Sequence, residues 1–380
     1  MPLRPETLAA KALDAAEAPR RSIDGPTGAL VPPIHLATTY ARDADYALID
    51  GRDYTRDKNP TSLPAEGLLA ALEGGTEARV FASGMAAATA AIRALTKPGD
   101  HVIAPKVGYY ALRDWVARWS AQWGVAVTFV DATDTGELRA AVRPSTRLVW
   151  VETPANPTWD VTDIAAAAEI AHAAGALLAV DSTCATPVHT RPLALGADLV
   201  MHSATKYLAG HSDVLAGALV TRTSDAAWDA ICRTRHDEGA VLAPVEAWLL
   251  LRGMRTVFVR VERQSRTALA LAQRLASLPG VTVAYPGLPS HPQHAIAARQ
   301  MERGFGGMLS IRVPGDPVRA IQRMRVWVPA TSLGGVESLV EHRATVEGPT
   351  SPTPRDLLRL SVGLEHEDDL FDDLAQAVLQ

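Results

Sequence analysis

A mainly parallel α/β sheet domain followed by a smaller α+β domain is the fold class that this 380-residue sequence predicts. Three observations predict it. Between Arg79 and Val220, short apolar runs alternate with helical, alanine-rich stretches, and that alternation builds a parallel sheet covered on both faces. Several runs stop on a polar residue, as Leu148-Val149-Trp150-Val151 stops at Glu152 and Leu177-Leu178-Ala179-Val180 at Asp181. Such strand ends lie at the carboxyl edge, where these sheets bind ligands. Near residue 250 the alternation gives way to a long amphipathic stretch and then to more scattered strands.

The elements follow in order. The first sixty or so residues lack periodicity and carry Pro26, Pro32, Pro33 and Pro60, so residues 1–58 read as an extended arm. Ile34, Leu36, Tyr40, Tyr46 and Tyr54 give that arm apolar points with which to dock. Residues 59–252 form the large domain. Val80-Phe81-Ala82 is a strand followed by a helix from Gly84, and residues 101–104 are a strand followed by a helix from Tyr109. Further strands are expected at 125–130, 148–151, 176–180, 199–201 and 216–220, with a helix over 164–174. In the third segment, 253–380, the amphipathic stretch 255–278 is long enough to bridge two domains. Strand candidates 281–285, 307–313, 326–328 and 358–362 follow it.

Composition narrows the function. A hydrophobic content of 47% supplies a large core, and a net charge of −5 without clustered Lys and Arg argues against nucleic acid as a partner. The opening MPLRPETLAAKALDAAEAPRR has no signal-peptide core, and no run has the length of a membrane span, so the expected compartment is the cytoplasm. Two cysteines, Cys184 and Cys232, are too few for a disulfide framework or a zinc site. His35, His189, His236, His291 and His294 share no ligand spacing, so no metal is expected. Trp115, Trp119 and Trp123 recur every four residues and suggest one packed helical face. Arg252, Arg255, Arg260, Arg263 and Arg266 read as a solvated or interdomain face. Cys184 reads as a small buried hydrophobe, and His211 as a residue that orients its loop.

The chemistry sits at the strand ends. Ser83-Gly84-Met85-Ala86 opens a helix directly after a strand. Its backbone N–H groups suit an anion, although an ordinary serine cap has the same sequence. No GxGxxG or GxxxxGK[ST] pattern is present, which argues against a nicotinamide oxidoreductase. Asn156 lies in the loop Glu152-Thr153-Pro154-Ala155-Asn156-Pro157, either as a fixed hydrogen-bonding group or as a plain turn residue. Asp181 needs a cation, a donor or a turn to cap. Lys206 sits in the polar loop HSATKYLAGHSD, beside Ser203 and Thr205, rather than on a charged helix face. A phosphate cradle, a carboxylate and a desolvated lysine on neighbouring strand ends suit pyridoxal 5′-phosphate (PLP).

VDSTCATPV, SATKYLAGHSD, YTRDKNPT, SLGGVESLVEH and LLRLSVGLEHEDDL together resemble the Cys/Met-metabolism family of PLP enzymes over nearly the whole chain. The family contains the cystathionine β- and γ-lyases, cystathionine γ-synthase and methionine γ-lyase. The resemblance implies a type I aminotransferase-like fold with a mainly parallel seven-stranded sheet. It implies a homotetramer built as a dimer of dimers. It gives Lys206 the Schiff base to the cofactor and the later proton transfers, and gives Asp181 the pyridine nitrogen. Ser203, Thr205 and the backbone at Gly84 and Met85 would hold the phosphate. Tyr54 and Arg56 would reach the phosphate in a neighbouring subunit. Tyr109 would stack on the ring and exchange a proton with the substrate, and Arg359 would pair with the substrate α-carboxylate. Ser332 and Asn156 would support that carboxylate or the lysine.

Two departures stand out. After Glu341-His342 the family pattern continues with proline, whereas this chain reads Arg343-Ala344-Thr345-Val346-Glu347-Gly348. Tyr110 beside Tyr109 is also unusual, and the spacing to Asp114 selects Tyr109 as the stacking residue. The expected activity is elimination from a sulfur amino acid, with L-cystathionine γ-cleavage slightly ahead of β-cleavage. Cystathionine γ-synthase is the runner-up, with methionine γ-lyase behind it. A PLP-binding protein without catalysis is the alternative from another class.

Overall fold

The computed structural model describes residues 3–12, 27–348 and 353–379; Pro26 and the adjoining part of the expected arm lie outside the described residues. Seven strands form the larger sheet: β1 (Glu77–Phe81), β2 (His101–Pro105), β3 (Ala126–Val130), β4 (Thr146–Glu152), β5 (Leu177–Asp181), β6 (Leu199–His202) and β7 (Gly217–Thr221). Their order is β1-β7-β6-β5-β4-β2-β3, and only β7 runs against the rest. Each apolar run read from the sequence supplies one of these strands. The runs are nearly continuous because both faces are buried. Val149, Val151, Leu178, Val180 and Val200 enter one core, while Leu148, Trp150, Ala179, Leu199 and Met201 enter the other.

The helix Gly84–Leu95 covers the second face. Ser83 caps it, its Oγ accepting the Ala86 N–H at 3.0 Å. Ala87, Ala88, Ala90 and Ala91 are buried, and these short side chains let the helix lie close to the sheet. At Gly217 the approach is closer still: a Cβ there would stand 2.0 Å from the Ser83 carbonyl oxygen.

The second sheet has five strands, β8 (Thr282–Ala284), β9 (Met308–Arg312), β10 (Val328–Pro329), β11 (Leu339–His342) and β12 (Leu357–Ser361), in the order β10-β11-β12-β9-β8. All its pairs are antiparallel except β10 with β11. The helix Val257–Leu275 joins the two layers. Its first half puts Val257, Phe258 and Val261 into a core of the large sheet. Its second half puts Ala268, Leu271, Ala272 and Leu275 against the small one. Among the described residues no helix is long and apolar enough to cross a membrane.

Several expectations are corrected. Within the supposed arm, Pro5–Lys11 is a helix whose Ala9 is buried against the chain's own core. The candidate strand 326–328 shrinks to Val328–Pro329, because the Asp373 carboxylate accepts the N–H groups of Arg325, Val326 and Trp327. Strand β11 adds an element that no candidate covered. Trp115 and Trp119 stack at 5.2 Å, but Trp123 is 55% exposed and lies off the packed face. Arg260 is buried rather than solvated.

Candidate active site

The carboxyl ends of β4, β5 and β6 and the start of the helix Gly84–Leu95 open on one cavity of about 160 Å³. Gly84, Met85, Tyr109, Asn156, Asp181, Ser203, Thr205 and Lys206 line it. Ser332 and Arg359 do not line it; Ser332 lines an adjoining cavity that shares Thr205, Leu215 and Leu333 with it. Tyr54 and Arg56 are not among its lining residues; in the arm, Arg56 stacks over Tyr54 at 5.5 Å and approaches His236 at 3.4 Å.

Lys206 projects from the turn after β6. Its N–H donates to Ser203 O at 3.0 Å, and its own carbonyl accepts from Gly210 N–H at 2.8 Å. Arg260 grips this turn from behind: Nη1 donates to Tyr207 O at 2.9 Å and Nη2 to Gly253 O at 2.7 Å. Gly210 must be glycine here, since its φ is +73° and a Cβ would meet Arg260 Nη1 at 1.8 Å. Arg260→Ala is therefore expected to cost about 3 kcal/mol, because it strips buried carbonyls of a charged donor. Denaturant unfolding checks this, and a loss below about 1 kcal/mol would contradict it.

The Lys206 amine donates to Ser332 Oγ at 2.7 Å. Burial, reinforced by the Arg359 charge, lowers its pKa to about 8. The amine can therefore act as nucleophile and base near neutral pH. Ser332 also ties the lysine to the arginine, for its carbonyl accepts from Arg359 Nη2 at 2.6 Å.

Asp181 is held in place by Thr183, whose N–H at 3.0 Å and hydroxyl at 2.5 Å both donate to Oδ1. The Thr183 hydroxyl oxygen accepts Ser203 N–H at 2.8 Å, so the carboxylate and the lysine loop are locked together. Among the described residues Oδ2 has no hydrogen-bond partner. Burial pushes the Asp181 carboxyl up. Beside it, in register on β4, lies Glu152. Burial and the Asp181 charge push Glu152 up to about 8. Glu152 accepts Tyr109 N–H on Oε2 at 2.6 Å and Asn156 N–H on Oε1 at 2.9 Å, and so fixes two walls of the cavity. Tyr109 lines the cavity; Tyr110 touches its ring edge-on, with centroids 5.5 Å apart.

At the anion end, Gly84 lies so close to Ser203 that a Cβ would meet its Oγ at 2.9 Å. Thr205 is arranged differently from the expectation. Its hydroxyl donates to Ala216 O at 3.0 Å and accepts Ala216 N–H at 2.9 Å. As placed, it stiffens the loop and keeps no proton for a phosphate. Arg359 also differs. It does not line the cavity, and Nη2 lies 2.6 Å from Glu341 Oε2 on the neighbouring strand. Nη1 donates to Asn156 Oδ1 at 3.4 Å. Its Nε is buried without a partner.

Glu152, Thr183, Cys184 and Glu341 belong to this neighbourhood but are not among the site residues singled out from the sequence. Glu152 carried the signal that found Asp181, a carboxylate ending an apolar strand. Glu341 had no local signal, since its importance lies in facing Arg359 across two strands.

The donor set fits pyridoxal phosphate. A helix N-terminus with an adjacent serine suits the phosphate, Tyr109 offers a ring face, and Lys206 a nucleophilic amine. The Asp181 oxygen that Thr183 leaves free faces the cavity, where a protonated pyridine nitrogen would meet it. Known proteins point the same way. A family model described as Cys/Met metabolism PLP-dependent enzyme matches residues 15–379. The cystathionine gamma-synthase of Mycobacterium tuberculosis is 46% identical over 365 residues, covering 93% of each chain. The crystal structure of metB from Corynebacterium glutamicum superposes with a TM-score of 0.94 at 38% identity, covering 99% of this chain and 98% of that one. That of cystathionine gamma-lyase from Lactobacillus plantarum complexed with L-serine gives 0.92 at 37% identity, covering 99% and 98%. This chain, with its seven-stranded sheet and a cavity lined by Lys206 and Asp181, belongs to the Cys/Met-metabolism family of PLP-dependent enzymes.

Proposed function

We propose that the chain is a carbon–sulfur lyase of trans-sulfuration that cleaves L-cystathionine by elimination, γ-cleavage ahead of β-cleavage. One observation carries the reading: Ser332 joins the desolvated Lys206 amine through its hydroxyl to Arg359 through its carbonyl. In this reading the α-carboxylate of the substrate takes a place among the present partners of Arg359, on the Ser332 side of the amine, and Lys206 is the base for its Cα–H. Bound pyridoxal phosphate supplies the electron sink that makes this proton acidic. Lys206 removes it, and Tyr109 with Lys206 moves the second proton, at Cβ, that γ-cleavage requires. Asp181 keeps the ring nitrogen protonated. Thr331-Ser332-Leu333-Gly334-Gly335-Val336, which resembles γ-lyases and γ-synthases, supports γ over β.

The test is product identification with the holoenzyme and L-cystathionine. 2-Oxobutyrate with cysteine supports the proposal, and pyruvate with homocysteine would make it a β-lyase. The identity to a γ-synthase favours a second reading, replacement on an O-acylhomoserine. Cystathionine formed from that ester and cysteine, without oxo acid from cystathionine, would establish it.

The same amine predicts a pH dependence. Only its neutral form attacks an aldehyde, so cofactor attachment to the apo-enzyme should quicken as pH rises through about 8 and then level off. Stopped-flow absorbance reads this rate, and a profile still climbing steeply at pH 10 would contradict it.

We further propose that the site is completed in a homo-oligomer, a tetramer made of two dimers. Leu36 and Tyr46 of the arm are 69% and 78% exposed. A second copy would cover them and bring Tyr54 and Arg56 to its own cofactor phosphate. Light scattering measures the assembly.

A further inference from the structure

Arg343 stands where the family pattern has a proline, and it opens the helix Arg343–Glu347. Its side chain is only 4% exposed, with Nη1 3.0 Å from Glu341 Oε2 and Nη2 2.6 Å from Glu347 Oε1. Its guanidinium lies over the Tyr110 ring, 5.3 Å from the centroid. The two departures noted in the sequence, Arg343 and Tyr110, therefore meet in space. The Glu341 oxygen that Arg343 holds is also the one paired with Arg359. A single carboxylate oxygen bridges two guanidinium groups. Glu341 Oε1 and the Nε atoms of both arginines are buried without partners.

The charge balance gives this arrangement a consequence. Glu341 facing Arg359 alone would cancel its charge, and an arriving carboxylate would meet the full repulsion of Glu341 in a buried site. With Arg343 on the same oxygen, the Glu341 charge is shared between two guanidinium groups instead of resting on Arg359 alone. Glu347 holds the other terminal nitrogen of Arg343, so the four groups together are neutral and Arg343 acts by dividing the Glu341 oxygen between the two arginines.

We propose that Arg343 is a positioning residue that holds Glu341 and offsets its charge, leaving Arg359 available to the α-carboxylate of the amino-acid substrate. This rests on the reading that Arg359 binds that carboxylate. L-Alanine has the α-carboxylate and no leaving group, so its binding can be measured apart from turnover. Titrating the holoenzyme with L-alanine, followed by cofactor absorption, should show Arg343→Gln weakened about tenfold or more. KM for L-cystathionine should rise in parallel, with kcat within about threefold of the parent enzyme.

The double variant Glu341→Gln, Arg343→Gln should recover to within about threefold. Unchanged L-alanine affinity in Arg343→Gln, or no recovery in the double variant, would overturn the proposal. If Arg343→Gln fails to fold, Glu341→Gln alone decides: affinity should stay equal or tighten, and weakening would contradict the role. Arg359→Lys tests the underlying reading separately. Weakened affinity there would support Arg359 as the carboxylate ligand, and unchanged affinity in the charge-removing variant Arg359→Gln would remove it, whatever Arg343 does.

Discussion

Lys206→Ala should fold, hold pyridoxal phosphate without a covalent bond and lose elimination activity by about a thousandfold or more. The variant keeps what shapes the cavity. The turn is held through backbone atoms, by Arg260 on Tyr207 O and Gly253 O and by Gly210 N–H on the carbonyl of residue 206. The side chain makes one hydrogen bond, to Ser332 Oγ. What disappears is the amine that both attaches the cofactor and moves the α-proton. Borohydride treatment should add the cofactor mass to the parent protein and not to the variant. Robust turnover in the variant would end the mechanism.

Stability supplies an independent check on the same residue. The folded pKa, about 8, lies below the unfolded value near 10.5. Between those values the unfolded chain holds more protons, so this group makes the cofactor-free protein more stable as pH rises. Below about 8 the amine is charged in both states and its burial is unfavourable throughout. Lys206→Ala should flatten the slope between about pH 8 and 10. A slope identical in both proteins would show that the amine is not desolvated.

The parts of the fold that depend on local pattern were legible. Seven apolar runs became seven strands because a sheet buried on both faces demands them. Asp181 was legible because a charge placed directly after an apolar strand is costly unless a partner or a ligand meets it, and Lys206 because it stands in a short polar loop beside Ser203 and Thr205 rather than on a charged helix face. Strand β11 was not, since its apolar run is only Leu339-Val340 before the charged Glu341-His342. It is a strand because β12 pairs with it and Arg359 faces Glu341 across that pair. From the sequence Arg260 is one more member of an arginine row that reads as a solvated or interdomain face. Its burial depends on carbonyls of a turn about fifty residues earlier in the chain. The hydroxyl of Thr205 likewise turns to Ala216, a partner that spacing around the lysine does not reveal.

Asp181→Asn should act in opposite directions on activity and on apo-protein stability. Asparagine can keep the bonds from Thr183 but carries no charge to hold a pyridine nitrogen protonated. The electron sink is then weakened, and kcat should fall about a hundredfold or more, with looser cofactor binding. Asp181→Glu should recover part of the loss. In the cofactor-free protein the sign reverses. Burial raises the carboxyl pKa of Asp181, and Glu152 beside it is pushed up to about 8. A carboxyl whose folded pKa is raised contributes stability at low pH that is lost as pH rises through that pKa. The apo-protein should therefore lose stability from about pH 4 towards pH 8, as this buried pair is forced to ionise. Removing one charge relieves the pair, so apo Asp181→Asn should melt higher than the parent at pH 8. Adding pyridoxal phosphate should reverse the order, because only the parent offers the ring nitrogen a carboxylate. A variant that melted lower than the parent in the apo form at pH 8 would mean that Asp181 is a structural cap. The same site would then have no electrostatic need for a cationic ring.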